Sequence, residues 1–418
     1  MTGPVEPKNP YFDDIRPERR PALKRSLGFW PLTLYGLGTI IGAGIYVLVG
    51  EVAGRAGMGA PIAFVAAGIV AGLTGLSYAE LVARHPEAAG ETAYVQEAFH
   101  SKALARLAGV ALIFVAIIAA ASIAKGAAGY LEQYVPLSRW AGGAIIVAIF
   151  TAIAALGVTE SVRIAVVMTL IEIGGLVLIL VLAAPALEAL PARAGELIPR
   201  DFGAWAGVFA GMFVAFFAFI GFDSLANMAE ETEEVGRVLP RAILAAVALS
   251  SLIYGLVALV AVFALSPADL SAHDAPLVAV LETTGFAWSR HFAAIALIAT
   301  ANGVMVEIVL VSRLAYGMAR RDLLPHWFSA VNARTRTPLR ATLIGGAVIL
   351  ALVVAVPFSA LVAATSTVTL CVFALVNLSL VRLQMKDRRP DLAIRAPRWA
   401  PPLGALTCLG LIAAQIAD

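Results

Sequence analysis

The chain has 418 residues, 60% of them hydrophobic and only 14% charged, with a formal net charge of +2. A soluble domain carries nearer a quarter charged residues, and the mean hydropathy of +0.88 excludes one; the composition is that of a polytopic membrane protein. The two cysteines, Cys371 and Cys408, lie in separate apolar runs and the five histidines avoid mid-span positions, so neither a disulfide framework nor a zinc or haem constellation is expected, and no cofactor.

Residues 1–28 are polar and proline-rich, without the short apolar core of a cleavable signal, and read as a cytoplasmic N-terminal segment. A helix needs about 20 apolar residues to cross the hydrocarbon core. Eleven runs qualify in chain order: 29–52, 60–82, 104–134, 140–157, 161–184, 204–229, 241–265, 288–319, 340–357, 359–383 and 400–417. With the N-terminus inside, the inner segments carry 24 of the 30 Lys and Arg residues. That asymmetry predicts a cytoplasmic N-terminus and an inner-membrane location by the positive-inside rule. It also gives the basic loops their plain role as topology signals and lipid-headgroup contacts, with no nucleic acid involved.

The first and sixth runs start on opposite sides. The fold expected is therefore all-α, two five-helix units of inverted topology over 29–184 and 204–383, with an additional helix at 400–418. A short motif recurs within each lead helix, "IIGAGIY" (Ile40–Tyr46) and "FIGFDSL" (Phe219–Leu225). Interrupted helices in corresponding positions of two halves mark a transporter binding site. Glycine lets the backbone unwind and approach a ligand, and unwound backbone is tolerable at membrane depth only where it lines a cavity. Bare N–H groups at a half-helix start attract an anion; bare carbonyls at a half-helix end attract a cation. The competing reading of the same glycines is close helix–helix packing.

"GLGTIIGAGIYVLVG" (Gly36–Gly50), "SYAELVARHPEAAGETAYVQEAF" (Ser77–Phe99), "FFAFIGFDSLANMAEETEEVGRVLPRAI" (Phe216–Ile243) and "SRLAYGMARRDLLPHWFSAVNARTRTP" (Ser312–Pro338) together resemble, in order and along most of the chain, the amino acid–polyamine–organocation permeases, in their cationic-amino-acid-transporter-like branch. The resemblance implies the five-plus-five inverted-repeat fold of leucine-type transporters, discontinuous helices 1 and 6, and alternating access. Most members have twelve helices; eleven are visible here. It further implies that the substrate α-carboxylate meets the amides of Ala43 and Gly44, beside Gly42. The α-amine would meet carbonyls of Ile40, Phe217, Ala218 and Ile220, with Phe217 as an aromatic lid. Alanine at 43 lacks the hydroxyl some relatives carry there.

Ionisable residues inside membrane spans are functional candidates. Lys125, Glu172, Asp223 and Glu307 qualify. Glu172 stands where several proton-coupled relatives resemble this segment but carry lysine; here it is a carboxylate, suited to carry a proton or, with Ser312, to ligate sodium, or else to bond a neighbouring helix. Glu307 is a candidate for a cationic substrate group. Lys125 and Glu307 lie about 15 Å apart in depth at 1.5 Å per residue, too far to pair. Asp223 fits a helix-start carboxylate. The cluster Glu230, Glu231, Glu233 and Glu234 is an inner-gate partner for Arg84 or a solvated face. The function expected is secondary active transport of an amino acid, with proton or sodium coupling open. An uncoupled exchanger and an amino acid sensor are the alternatives; an enzyme is not expected.

Overall fold

The first apolar run folds as two helices rather than one. In this computed structural model, which describes residues 27–42, 44–85, 90–155, 162–332, 337–386 and 392–417, helix α1 spans Phe29–Ile41 and α2 spans Ile45–Ala56. A short 3-10 turn then leads into α3, Ala60–Arg84, which returns the chain to its starting face. There α4, Gly90–Phe99, lies before the long α5, Lys102–Glu132, whose Ser101 hydroxyl caps it by accepting from Leu104 N at 3.2 Å. Helices α6 (Arg139–Ala155) and α7 (Val162–Leu182) follow, then the single turn α8 (Leu190–Arg193) on the opposite face.

The second half repeats this plan. Helix α9, Phe202–Phe217, is capped by the Asp201 carboxylate and ends mid-membrane. Its continuation, Phe222–Glu231, is a 3-10 helix, narrower than the α-helix expected there. Helix α10 (Val235–Ala264), the short α11 (Pro267–Ala272) and α12 (Pro276–Thr283), and then α13 (Ser289–Arg320), α14 (Leu339–Ala355), α15 (Phe358–Lys386) and α16 (Ala400–Ala417) complete the chain.

Six helical stretches pass a length-and-hydropathy test for spanning on their own. One of these, Ile45–Arg84, is 40 residues long, about 60 Å or twice the hydrocarbon thickness. It is the end of one pass and the whole of the next, joined at the Gly57–Gly59 turn. Helices α1, α6, α14 and α16 are shorter apolar helices, and α7 bends by 49° into the segment after it. With each interrupted helix counted once, the described residues contain eleven apolar passes.

The packing has the pattern an inverted repeat requires. Helix α3 packs on α10, α5 on α13 and α6 on α14, each an element of the first half against its counterpart in the second. The broken helices cross over: α2 contacts α9, and α1 contacts the 3-10 segment. Two halves related by a two-fold axis in the membrane plane meet in this way, and both breaks fall near that axis. The glycines of the first run serve packing as well as breakage. A Cβ on Gly36 would stand 2.5 Å from Leu225 of the 3-10 segment.

Candidate functional site

At the centre of the bundle the two breaks touch. A Cβ on Gly44 would come within 2.7 Å of the Ala218 side chain, the Ala218 carbonyl and the Tyr254 hydroxyl. Only glycine lets these strands of backbone meet. Gly221 has φ +121, a conformation L side chains rarely adopt, and a Cβ there would stand 2.7 Å from the Thr39 carbonyl. The Thr39 hydroxyl reaches the Gly221 carbonyl at 3.2 Å. On the far side of that turn the Asp223 carboxylate accepts from Gly221 N at 3.0 Å, and Ser224 Oγ donates to Gly221 O at 2.6 Å. The carbonyls left at the two half-helix ends converge. Ile40 O and Ala218 O lie 2.8 and 3.0 Å from one donor, the Tyr254 hydroxyl of α10.

From the breaks a narrow cavity of about 30 Å³ runs toward the face where α1 begins. Thr39, Gly221, Asn302 and Val115 line its inner part; Leu314 of α13 and Glu91 of α4 line the part nearer that face. Among the described residues, three carboxylates border it, Glu91, Asp223 and Glu307, and no basic side chain does. Asn302 is buried, and among the described residues its side-chain oxygen has no hydrogen-bond partner. Glu91 accepts from the Tyr78 hydroxyl at 2.8 Å. Burial, and next the nearby Asp223, push the Glu91 carboxyl up to about 7. A cavity of this size admits a water or two, not an amino acid.

On the other side of the breaks the path is shut by aromatic rings. Tyr46 stacks on Phe292 at 6.2 Å, and Phe219 and Phe64 meet Tyr254 edge-on at 5.2 and 5.8 Å. Tyr46 donates to the Glu172 carbonyl at 2.6 Å, and Tyr130 donates to the Tyr46 carbonyl. Above this layer the α11–α12 hairpin rests on α2. A Cβ on Gly50 would stand 2.6 Å from the Leu270 carbonyl, so that contact is close-packed.

Comparison with known proteins gives this geometry its context. The amino acid permease family pattern matches residues 27–417. The chain belongs to that family. The branched-chain amino acid permease BcaP of Bacillus subtilis is 31% identical over 417 residues, covering 94% of this chain and 88% of that one. The cationic amino acid transporter 3, mitochondrial, of Arabidopsis thaliana is 32% identical over 381 residues, 86% of this chain and 62% of that protein. Among solved structures, MhsT in complex with L-phenylalanine has the same fold, with a TM-score of 0.67 at 14% identity over 94% of this chain and 99% of that one. The protein is thus an amino acid permease with the leucine-type transporter fold. Its family and relatives are transporters, not enzymes.

Within this permease, Ile40, Gly42, Gly44, Ala218 and Ile220 all gather at the breaks, whereas Ala43 lies outside the described residues. The Phe217 carbonyl accepts from Ile220 N at 3.1 Å within the turn. Its ring is buried and does not line the cavity. Ile220, Asp223 and Glu307 do. Glu172 comes to the first break, because a Cβ on Gly42 would lie 3.3 Å from its Oε1. On α13 the Asn302 amide donates to Glu172 Oε1 at 3.4 Å. Ser312 sits ten residues on, about 15 Å toward the starting face, and bonds its own helix at Val309 O. Lys125 donates to the Val356 carbonyl at the end of α14 and does not meet Glu307. Arg84 pairs with Glu80, one turn back in its own helix; the acids expected as its alternative partners lie in the cluster after helix 6. Of that cluster Glu233 and Glu234 are exposed, and the Glu230 and Glu231 side chains lie outside the described residues. Tyr254, Asn302, Thr39 and Glu91 are site residues the sequence reading passed over. Tyr254 and Asn302 left the signal of lone polar groups in mid-span; Glu91 left none, because it lies in a polar stretch.

Proposed function

We propose that this permease is a secondary active transporter that moves an amino acid across the cell membrane by alternating access. Its halves, residues 29–184 and 204–383, rock about the two breaks, and its N-terminus is cytoplasmic. The observation that carries this reading is the convergence of the Ile40 and Ala218 carbonyls on one hydroxyl between two interrupted helices. Each carbonyl has a second lone pair to offer an ammonium group, so backbone from both halves grips the same end of a substrate. The aromatic seal on one side and the narrow cavity on the other support a form closed to the outside. The substrate-bound form needs α1 and the 3-10 segment to swing outward, since about 30 Å³ is too small for it.

The names of the relatives offer two substrate classes, branched-chain and cationic amino acids. The cavity favours the cationic class: among the described residues three carboxylates and no basic side chain border it, and a positively charged side chain lowers the cost of holding them there. Glu307 is the residue assigned to that side chain. Glu172, against Gly42 and Asn302, is the group assigned to coupling, as a proton carrier.

The test is uptake of labelled arginine and labelled leucine into proteoliposomes, with an inward proton gradient, an inward sodium gradient, no gradient, or unlabelled amino acid inside. Proton-stimulated arginine uptake is expected. Uptake seen only with amino acid preloaded inside would make the protein an exchanger and end the coupling role of Glu172. Binding without uptake under every condition would make it a sensor.

A further inference from the structure

A second cavity, of about 270 Å³, lies away from the breaks. It opens on the face where α1 begins, between the end of α3 and the linker from α15 to α16, and is lined by Arg84, Gln384, Arg395, Ala396, Pro397 and Arg398. Transport as described above uses none of these residues.

The floor of this cavity is a built structure. Glu80 is fully buried and its carboxylate is saturated. One oxygen accepts from Arg84 Nε and a terminal guanidinium nitrogen at 2.9 and 2.7 Å; the other accepts from Gln384 Nε2 at 2.7 Å and Ala396 N at 2.9 Å. The network ties α3, α15 and the linker together and fixes Ala396 in place. Arg395, directly before Ala396, and Arg398, two residues after it, are thereby held at the rim. Both are exposed, and among the described residues neither has an ion-pair partner. Among the described residues that line the pocket, Arg395 and Arg398 add two positive charges above the Glu80–Arg84 pair.

The start of α16 adds nothing to hold an anion. Pro401 and Pro402 have no N–H, and the amides of Ala400 and Leu403 are bonded to Pro397 O and Trp399 O at 2.9 and 3.1 Å. Anion recognition therefore falls to the arginines, whose planar forks match phosphate oxygens in pairs. Depth identifies the source of the phosphate. Trp399, next to Arg398, is 61% exposed at the foot of a membrane-crossing helix, the position tryptophan takes at headgroup level.

We propose that this cavity binds a phosphate group, gripped by Arg395 and Arg398 above the Glu80–Arg84 pair, and that the phosphate belongs to an anionic phospholipid of the leaflet on that face. The bound headgroup fastens α16 and its linker to the core, because the loop it neutralises is the one Glu80 anchors.

Thermal unfolding of the purified full-length permease, titrated with phosphatidylglycerol, phosphatidylcholine or inorganic phosphate, tests this. Phosphatidylglycerol should raise the midpoint by several degrees more than phosphatidylcholine. Arg395→Gln combined with Arg398→Gln should weaken that apparent affinity roughly tenfold or more, since each arginine near a charged surface contributes on the order of fivefold and chelation adds to it. Arg237→Gln with Arg241→Gln, which removes the same charge from the exposed start of α10, should leave it unchanged. Retained amino acid uptake by the first double variant would show that it still folds. If inorganic phosphate alone gives the same shift, lost in that variant, the phosphate site stands and its lipid source is overturned. Equal losses in both double variants, or a loss in neither, overturn the site.

Discussion

The Tyr254 hydroxyl on α10 lies 2.8 Å from the carbonyl oxygen of Ile40, one residue before the end of α1. The same hydroxyl lies 3.0 Å from Ala218 O, at the end of α9. One hydrogen cannot serve both carbonyls at full strength, so they share it, and each keeps a lone pair for something else. Tyr254 is buried completely. Tyr254→Phe removes the shared donor and nothing else. The loss is expected to cost about 1–3 kcal/mol, read as a lower unfolding temperature. It should also raise the KM for uptake several-fold, because the two breaks are no longer held to one point. An unchanged KM would remove Tyr254 from the site.

Gly44→Ala should be far worse for transport than its size suggests. The added methyl meets Ala218 and Tyr254 at 2.7 Å, and backbone on both sides must shift. Overpacking of this kind costs about 1–3 kcal/mol, concentrated where the substrate is held, so uptake should fall more than tenfold. Gly72→Ala is the matched control, with nothing within 4 Å of its added methyl, and uptake by that variant should equal wild type.

Glu172→Gln keeps the shape of the side chain and its contact with Asn302 while removing the titratable group. The expected outcome is uptake that no longer responds to an inward proton gradient, with exchange of preloaded amino acid retained. Ser312→Ala should leave the gradient response intact, because Ser312 is bonded within its own helix, to Val309. Gradient-dependent uptake by Glu172→Gln equal to wild type would end the coupling assignment.

The buried Glu91 carboxyl, raised to about 7, links stability to pH. In the unfolded chain a glutamate ionises near 4.3. Between about 4.3 and about 7 the folded protein keeps a proton the unfolded chain has lost, so stability falls as pH rises through that window and levels off above it. Unfolding temperature measured from pH 5 to 8 should show this decline. Glu91→Gln should flatten it, and an unaltered slope in that variant would assign the decline to other groups.

Much of the architecture was legible in the chain because it rests on local quantities. Each of the eleven apolar runs coincides with a helical pass, since a backbone in lipid has to satisfy its own hydrogen bonds. Asp223 was readable as a helix-start carboxylate and does bond the Gly221 amide beside the break. The glycine pairs announced interruptions, and the separation of Lys125 from Glu307 followed from rise per residue alone.

What the sequence could not supply is which groups from distant runs face each other. Glu172 was visible as a buried acid, but its nearness to Asn302, 130 residues away, depends on how α7 and α13 rotate about their axes, which side-chain packing decides. Arg84 had several acids within loop reach, and geometry gave it to Glu80 in its own helix. Tyr254 was one tyrosine in an apolar run until the two-fold arrangement of the halves brought both broken helices to its hydroxyl. The sequence by itself determined spans, breaks and family, because hydropathy and glycine content act residue by residue. The tertiary structure decided the partners, because burial at membrane depth leaves each polar group only the neighbours that helix packing brings to it.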